Sequence, residues 1–187
     1  ERRQRNMPKL GASGYFCCGP AFFVSIGVTL SVIANRICNF VELDVAQEIP
    51  NFIPRVATSV GFWCFRTSFG SFFYSNFVEE DFLDDDFLLA RGFSATANAL
   101  GFLVLIFFFI SMCFRCSPLV FKIVGGGFGI LATLFQGLSF FILRSSVCDA
   151  GCTLDTGANL SIAATVFYFA SAFSSCFVGA DDTEGGE

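Results

Sequence analysis

Nine cysteines and one acidic run are the groups in this sequence whose types and spacing could do chemistry. Cys113 and Cys116 have the Cys-x-x-Cys spacing of a dithiol redox pair, whereas Cys148 and Cys152 stand one residue further apart. A membrane thiol-redox enzyme would need such a pair beside a span, and that is the alternative reading of the chain. Glu79, Glu80, Asp81, Asp84, Asp85 and Asp86 could surround a hard cation. The run lacks the alternating spacing and turn glycine of a dedicated calcium loop, so a solvated lead-in to a helix accounts for it better. The cluster Gly125-Gly126-Gly127-Phe128-Gly129 lacks the Lys-Ser/Thr of a phosphate-binding loop. Histidine is absent, which removes the commonest metal ligand and the usual base at neutral pH. The expectation is a chain with no catalytic residue, no metal and no cofactor, and not an enzyme.

The elements that must carry these groups follow from composition. Of 187 residues, 54% are hydrophobic, 14% are charged and 28 are Phe. A soluble domain carries about 25% charged residues, so the chain reads as an integral membrane protein. The clearest span is the second, at about 88–113, where residues 93–113 carry no ionisable side chain but a terminal thiol. About 20 apolar residues at 1.5 Å each cross a hydrocarbon core of roughly 30 Å. Asp84, Asp85 and Asp86 complement the positive end of its helix dipole. Further spans are expected at about 20–41, with Pro20 in its first turn, at 119–143 and at 159–180. The fold class is thus an all-α membrane protein, a four-helix bundle. A tail of 1–19 precedes the four-span domain of 20–180, and an acidic tail of 181–187 follows. Gly125 and Gly129, at a spacing that lets helix backbones approach, are helix-packing candidates in span three. Asn98 and Gln136 are explained by hydrogen bonds between helices rather than by a transport path.

Two loops, at about 42–86 and 144–158, fall on one side. In the first, residues 60–66 and 69–78 are short, aromatic-rich and broken at Thr67-Ser68, the pattern of a small β-sheet. Basic residues near the span ends divide six to five between the two sides. The cluster Arg2, Arg3, Arg5 and Lys9 before span one decides for both termini in the cytosol, in a plasma membrane or an endomembrane. Cys17, Cys18, Cys113 and Cys116 then lie at the cytosolic boundary as palmitoylation candidates, while Cys64, Cys148 and Cys152 are disulfide candidates outside, with Cys38 at the outer end of span one. A bridge from Cys64 to Cys148 or Cys152 would tie the loops together, and a Cys148 to Cys152 bridge would only tighten a turn. The spacing leaves both open; the expectation carried forward is Cys64 joined to the second loop, with Trp63 buried in the sheet on the opposite face. Arg91, one to two turns after three aspartates, is expected to pair with Asp84, Asp86 or a loop carbonyl.

Gly61-Phe62-Trp63-Cys64 in a long first loop, followed by Leu89-Ala90-Arg91-Gly92 opening the second span, resembles the four-span claudin and peripheral myelin protein-like superfamily. The cysteine follows the tryptophan directly, and the Cys148, Cys152 pair in the second loop is this chain's own. The resemblance implies a divergent, noncatalytic, claudin-like surface protein. Such a protein acts through lateral or cell-to-cell contacts, or as an accessory subunit of a membrane complex. Its partners would be the lipid bilayer and other membrane proteins or copies of itself, as a homo- or hetero-oligomer, and no nucleic acid. An oligomeric pore is the further alternative.

Overall fold

The computed structural model describes residues 13–48, 56–74, 83–113, 118–149 and 151–177; for residues 13–18, 45–48, 56, 112, 113 and 118 it describes the backbone alone. The segments 75–78 of the predicted strand, Glu79, Glu80 and Asp81 of the acidic run, Cys116, and both predicted tails except 13–19 lie outside the described residues.

Four helical rods are long and apolar enough to cross a membrane. The first is α1 (Ser13–Arg36) and the second α2 (Asp85–Cys113). The third is composite: α3 (Pro118–Phe121), a π-helical stretch (Lys122–Phe128), α4 (Gly129–Leu138) and a 3-10 stretch (Ser139–Arg144). The fourth is α5 (Thr156–Phe177). α1 packs most extensively on α5, and α2 packs on both α1 and α4.

Apolar side chains cover the outside of the bundle as well as filling its core, where Val24, Val28, Val104 and Phe108 pack. Phe102, Ile106, Phe109, Leu134, Phe169 and Phe173 are exposed, whereas Ser31, Asn35, Ser94, Gln136 and Ser161 are buried. Such an outer surface suits an apolar solvent, in which buried polar side chains find their partners inside the bundle. They do so in one unbroken chain across all four rods. Ser94 Oγ donates to Asn35 Oδ1 at 2.9 Å, and Asn35 Nδ2 donates to the Ser31 carbonyl at 3.0 Å. Ser31 Oγ donates to Gln136 Oε1 at 2.6 Å, and Gln136 Nε2 donates to Ser161 Oγ at 2.6 Å.

At one end of the bundle stands a five-stranded antiparallel sheet of order β4-β3-β2-β1-β5. β1 (Val41–Glu48), β2 (Val56–Val60), β3 (Cys64–Thr67) and β4 (Gly70–Phe73) come from the first loop, and β5 (Cys152–Leu154) from the second. The register aligns Leu154, Val41, Val60, Phe65 and Phe72 in one row across the strands. Alternation puts them on the same face, where Val41, Val60 and Phe65 share a core with Phe40, Phe62 and Phe87.

Several boundaries differ from the sequence expectation. Pro20 lies inside α1 rather than in its first turn; its carbonyl accepts from Ser171 Oγ at 2.9 Å, a contact that ties this region of α1 to α5. The first rod ends at Arg36, not at residue 41, because residues 37–40 turn into the sheet: Phe40 N donates to the Val60 carbonyl, and Gly157 N to the Asn39 carbonyl. Residues 60–66 are not one strand. The chain turns at Gly61, whose N–H donates to the Cys64 carbonyl at 2.8 Å, so β2 and β3 pair antiparallel. The next turn falls at Ser68-Phe69, where Phe69 N donates to Thr67 Oγ1 and Gly70 adopts φ 145°.

Candidate interaction surface

The residues Gly61, Phe62, Trp63, Cys64 and Arg91 meet at the junction between sheet and bundle, each with a separate task. A Cβ on Gly61 would collide with the Ile37 carbonyl oxygen and stand 2.9 Å from Cys38 Cα. Gly157 does the same on the other side, where a Cβ would stand 2.9 Å from Phe40 Cα. The connector 37–40 is therefore clamped between two glycines, at a closeness no side chain permits. Phe62 is fully buried with its ring 4.4 Å from that of Phe40. Cys64 forms a disulfide with Cys38. Tyr74 closes the turn from outside, donating its hydroxyl to the Gly61 carbonyl and its N–H to the Trp63 carbonyl.

Two expectations are corrected here, the partner of Cys64 and the burial of Trp63. The bridge from Cys64 to the second loop does not form: Cys64 pairs with Cys38, and Cys148 pairs with Cys152. The cause is the early end of α1, which brings Cys38 beneath β3 with a Cα–Cα distance of 4.9 Å, well inside disulfide reach. Trp63 is not buried. It occupies the β2–β3 turn rather than a strand and is 39% exposed. Arg91 places its guanidinium 3.6 Å from the centroid of that indole, a cation–π contact between the sheet and α2. The Asp84 carboxylate holds backbone groups: Oδ1 accepts from Phe87 N at 3.0 Å, capping α2, and Oδ2 accepts from Ser146 N at 2.6 Å.

The two loops nevertheless form one unit, without a covalent link. β5 pairs with β1 through Val41 to Leu154, Glu42 to Thr153 and Leu43 to Cys152. Asp44 N donates to the Gly151 carbonyl, and Gly151 adopts φ 104° with the Asp44 carboxylate where a Cβ would stand. Together with the Asp84 to Ser146 bond, these contacts fix the second loop against the first.

The face of the sheet turned away from the core is polar in its middle. Thr153, Glu42, Ser59, Arg66 and Ser71 align across the five strands. A shallow groove of about 420 Å3 runs along it, lined by Asn39, Glu42, Thr58, Ser59, Arg66 and Asp155. Glu42 and Arg66 flank Ser59 on neighbouring strands, so charges of opposite sign are offered about two strand spacings apart, or roughly 10 Å. At the β4 edge the surface becomes apolar: Phe69 at the turn is 78% exposed, and Phe73 is 72% exposed. A polar centre with an exposed aromatic margin suits protein contact, where aromatic and arginine side chains contribute most. No group of three or more potential metal ligands occurs among the described residues.

The remaining singled-out residues lie elsewhere. Gly125 and Gly129 face neighbouring helices: a Cβ on Gly125 would stand 2.9 Å from Phe108 and Ser175, and one on Gly129 would stand 2.9 Å from Ala172 Cβ. Cys17 and Cys18 lie in α1 and Cys113 ends α2, their side chains outside the described set; Cys176 on α5 is a free, exposed thiol. Sequence reasoning missed Ser31, Ser94 and Ser161, although serine recurring inside apolar spans was the signal available. The chain matches no protein-family model and no curated protein.

Proposed function

We propose that this chain is a noncatalytic integral membrane protein of claudin-like build, with both termini cytosolic, whose sheet makes lateral or cell-to-cell contacts or seats the chain as an accessory subunit on a larger membrane complex. The observation that carries the reading is the sheet built jointly by both loops. It is held at a fixed attitude to the bundle by the Cys38–Cys64 disulfide, the clamped connector and the Trp63–Arg91 contact. A platform so fixed presents Phe69, Phe73 and Arg66 with little ordering left to do on binding, which is how rigid surfaces gain affinity. The Gly-Phe-Trp-Cys and Ala-Arg residues that carry the resemblance converge on this junction, which supports the same reading.

The test replaces the exposed aromatics and leaves the core alone. Phe69→Ser/Phe73→Ser is expected to reach the membrane with both disulfides intact and to lose chemical cross-linking to its neighbours by tenfold or more, about 1.4 kcal/mol or above. Cross-linking at wild-type yield would sink the proposal.

A further inference from the structure

The outward row of the sheet carries its charges in an ordered pattern. From β4 to β5 it runs Ser71, Arg66, Ser59, Glu42 and Thr153, each aligned with the next by the strand register. Ser59, on the central strand of the five, is buried, whereas Arg66 and Glu42 are exposed on either side of it. The small side chain at the middle lets the surface sink, and all three residues line the groove of about 420 Å3. Glu42 and Arg66 stand two strand spacings apart, about 10 Å, and among the described residues they form no ion pair with each other. The order is therefore hydroxyl, cation, hydroxyl, anion, hydroxyl, antisymmetric about Ser59. A half-turn about an axis along β2, lying in the plane of contact, lays this row on a second copy of itself with each Arg66 over the partner's Glu42. The other half-turn in that plane, about an axis along the row, would set arginine on arginine and glutamate on glutamate. Charge thus selects one of the two, and a contact between identical faces needs such self-complementarity.

We propose that this face binds the same face of a second copy of the chain, through two reciprocal Arg66 to Glu42 pairs about a two-fold axis at Ser59. The inference rests on the reading of the sheet as an interaction surface and names its partner. Exposed charge pairs contribute mainly to the choice of partner and the rate of encounter. The face is four strand spacings, or about 19 Å, across, which places the contact among transient interfaces, those burying less than about 1,200 Å2. Anchorage in a bilayer raises the effective concentration that so small a contact needs.

The full chain, carried as two differently tagged copies in one liposome preparation, provides the test. The wild type is expected to cross-link to itself, and added salt to weaken that pairing, since at about 1 M charges are screened beyond roughly 3 Å. Glu42→Arg and Arg66→Glu are each expected to lose self-pairing by about tenfold or more, because each sets like charges opposite one another. Mixed together, the two variants are expected to pair as the wild type does, and so is the double variant Glu42→Arg/Arg66→Glu with itself. That recovery also shows that the variants fold. Single variants that self-pair at wild-type yield, or a mixture that stays unpaired with both disulfides intact, would overturn the proposal. So would wild-type copies that cross-link only to other membrane proteins. The broader reading of the sheet as an interaction surface falls separately, when Phe69→Ser/Phe73→Ser leaves all cross-linking unchanged.

Discussion

Gly61 has space for a hydrogen atom and nothing larger, since what a Cβ would strike is backbone, the Ile37 carbonyl and Cys38, and backbone held by a disulfide cannot swing aside. Gly61→Ala should therefore cost about 1–3 kcal/mol as an overpacked site. Gly92→Ala, in open space on α2, should gain about 0.5–1 kcal/mol from helix propensity. Thermal unfolding of the two variants in detergent checks the pair, and shifts of the same sign would remove the clamp. The cysteines allow a second check at this scale. Nonreducing peptide mapping should find Cys38 linked to Cys64 and Cys148 linked to Cys152. The loop-entropy relation assigns about 3.6 kcal/mol to a bridge with a sequence separation of 26 and about 2 kcal/mol to one with a separation of 4. Cys38→Ser should then weaken the fold more than Cys148→Ser, and the reverse order would count against the assignment of the first bridge as the main fastening.

At the scale of elements, the third rod owes its fit to glycine. Its π-helical stretch contains Gly125, Gly126 and Gly127, and Gly129 begins α4. Gly125 and Gly129 let the rod approach Phe108 on α2 and Ala172 on α5 at distances that exclude a side chain. Gly129→Leu should disrupt folding or halve expression at the least, while Leu131→Phe, at an exposed apolar position, should behave as wild type. Equal melting temperatures for the two would dispose of the close helix crossing. The rods themselves were readable from the sequence because hydrocarbon thickness imposes a minimum apolar length, and β3 and β4 because aromatic-rich runs were broken by turn residues; β1 and β2, apart from Val60, lie outside those runs. β5 was not readable: three residues, Cys152-Thr153-Leu154, carry no periodicity, and their pairing depends on where β1 lies. Cys38 was misjudged for a related reason. The end of α1 is set by residues 37–40 docking between Gly61 and Gly157, and local hydrophobicity across Ile37 to Val41 continues past that end. The site was legible in its members, Gly61 to Cys64 and Arg91, but not in its partnerships, which depend on tertiary contacts.

For the whole molecule, four rods return the chain to the side from which it started, so tags on the two termini should both be inaccessible to protease added outside intact cells and both be cut after permeabilisation. Cleavage of either tag in intact cells would refute the proposed orientation. The pairing of the first rod with the last carries a consequence for how the molecule is made. α1 leaves the ribosome first, yet its most extensive partner is α5, and β1 waits for β5, which lies just ahead of α5 in the chain. During synthesis the nascent chain therefore holds an open sheet edge at β1, and α1 lacks its main partner, until β5 and α5 have emerged. Its incomplete intermediates need shelter through that interval, and truncations lacking α5 should be retained and degraded rather than delivered half-built.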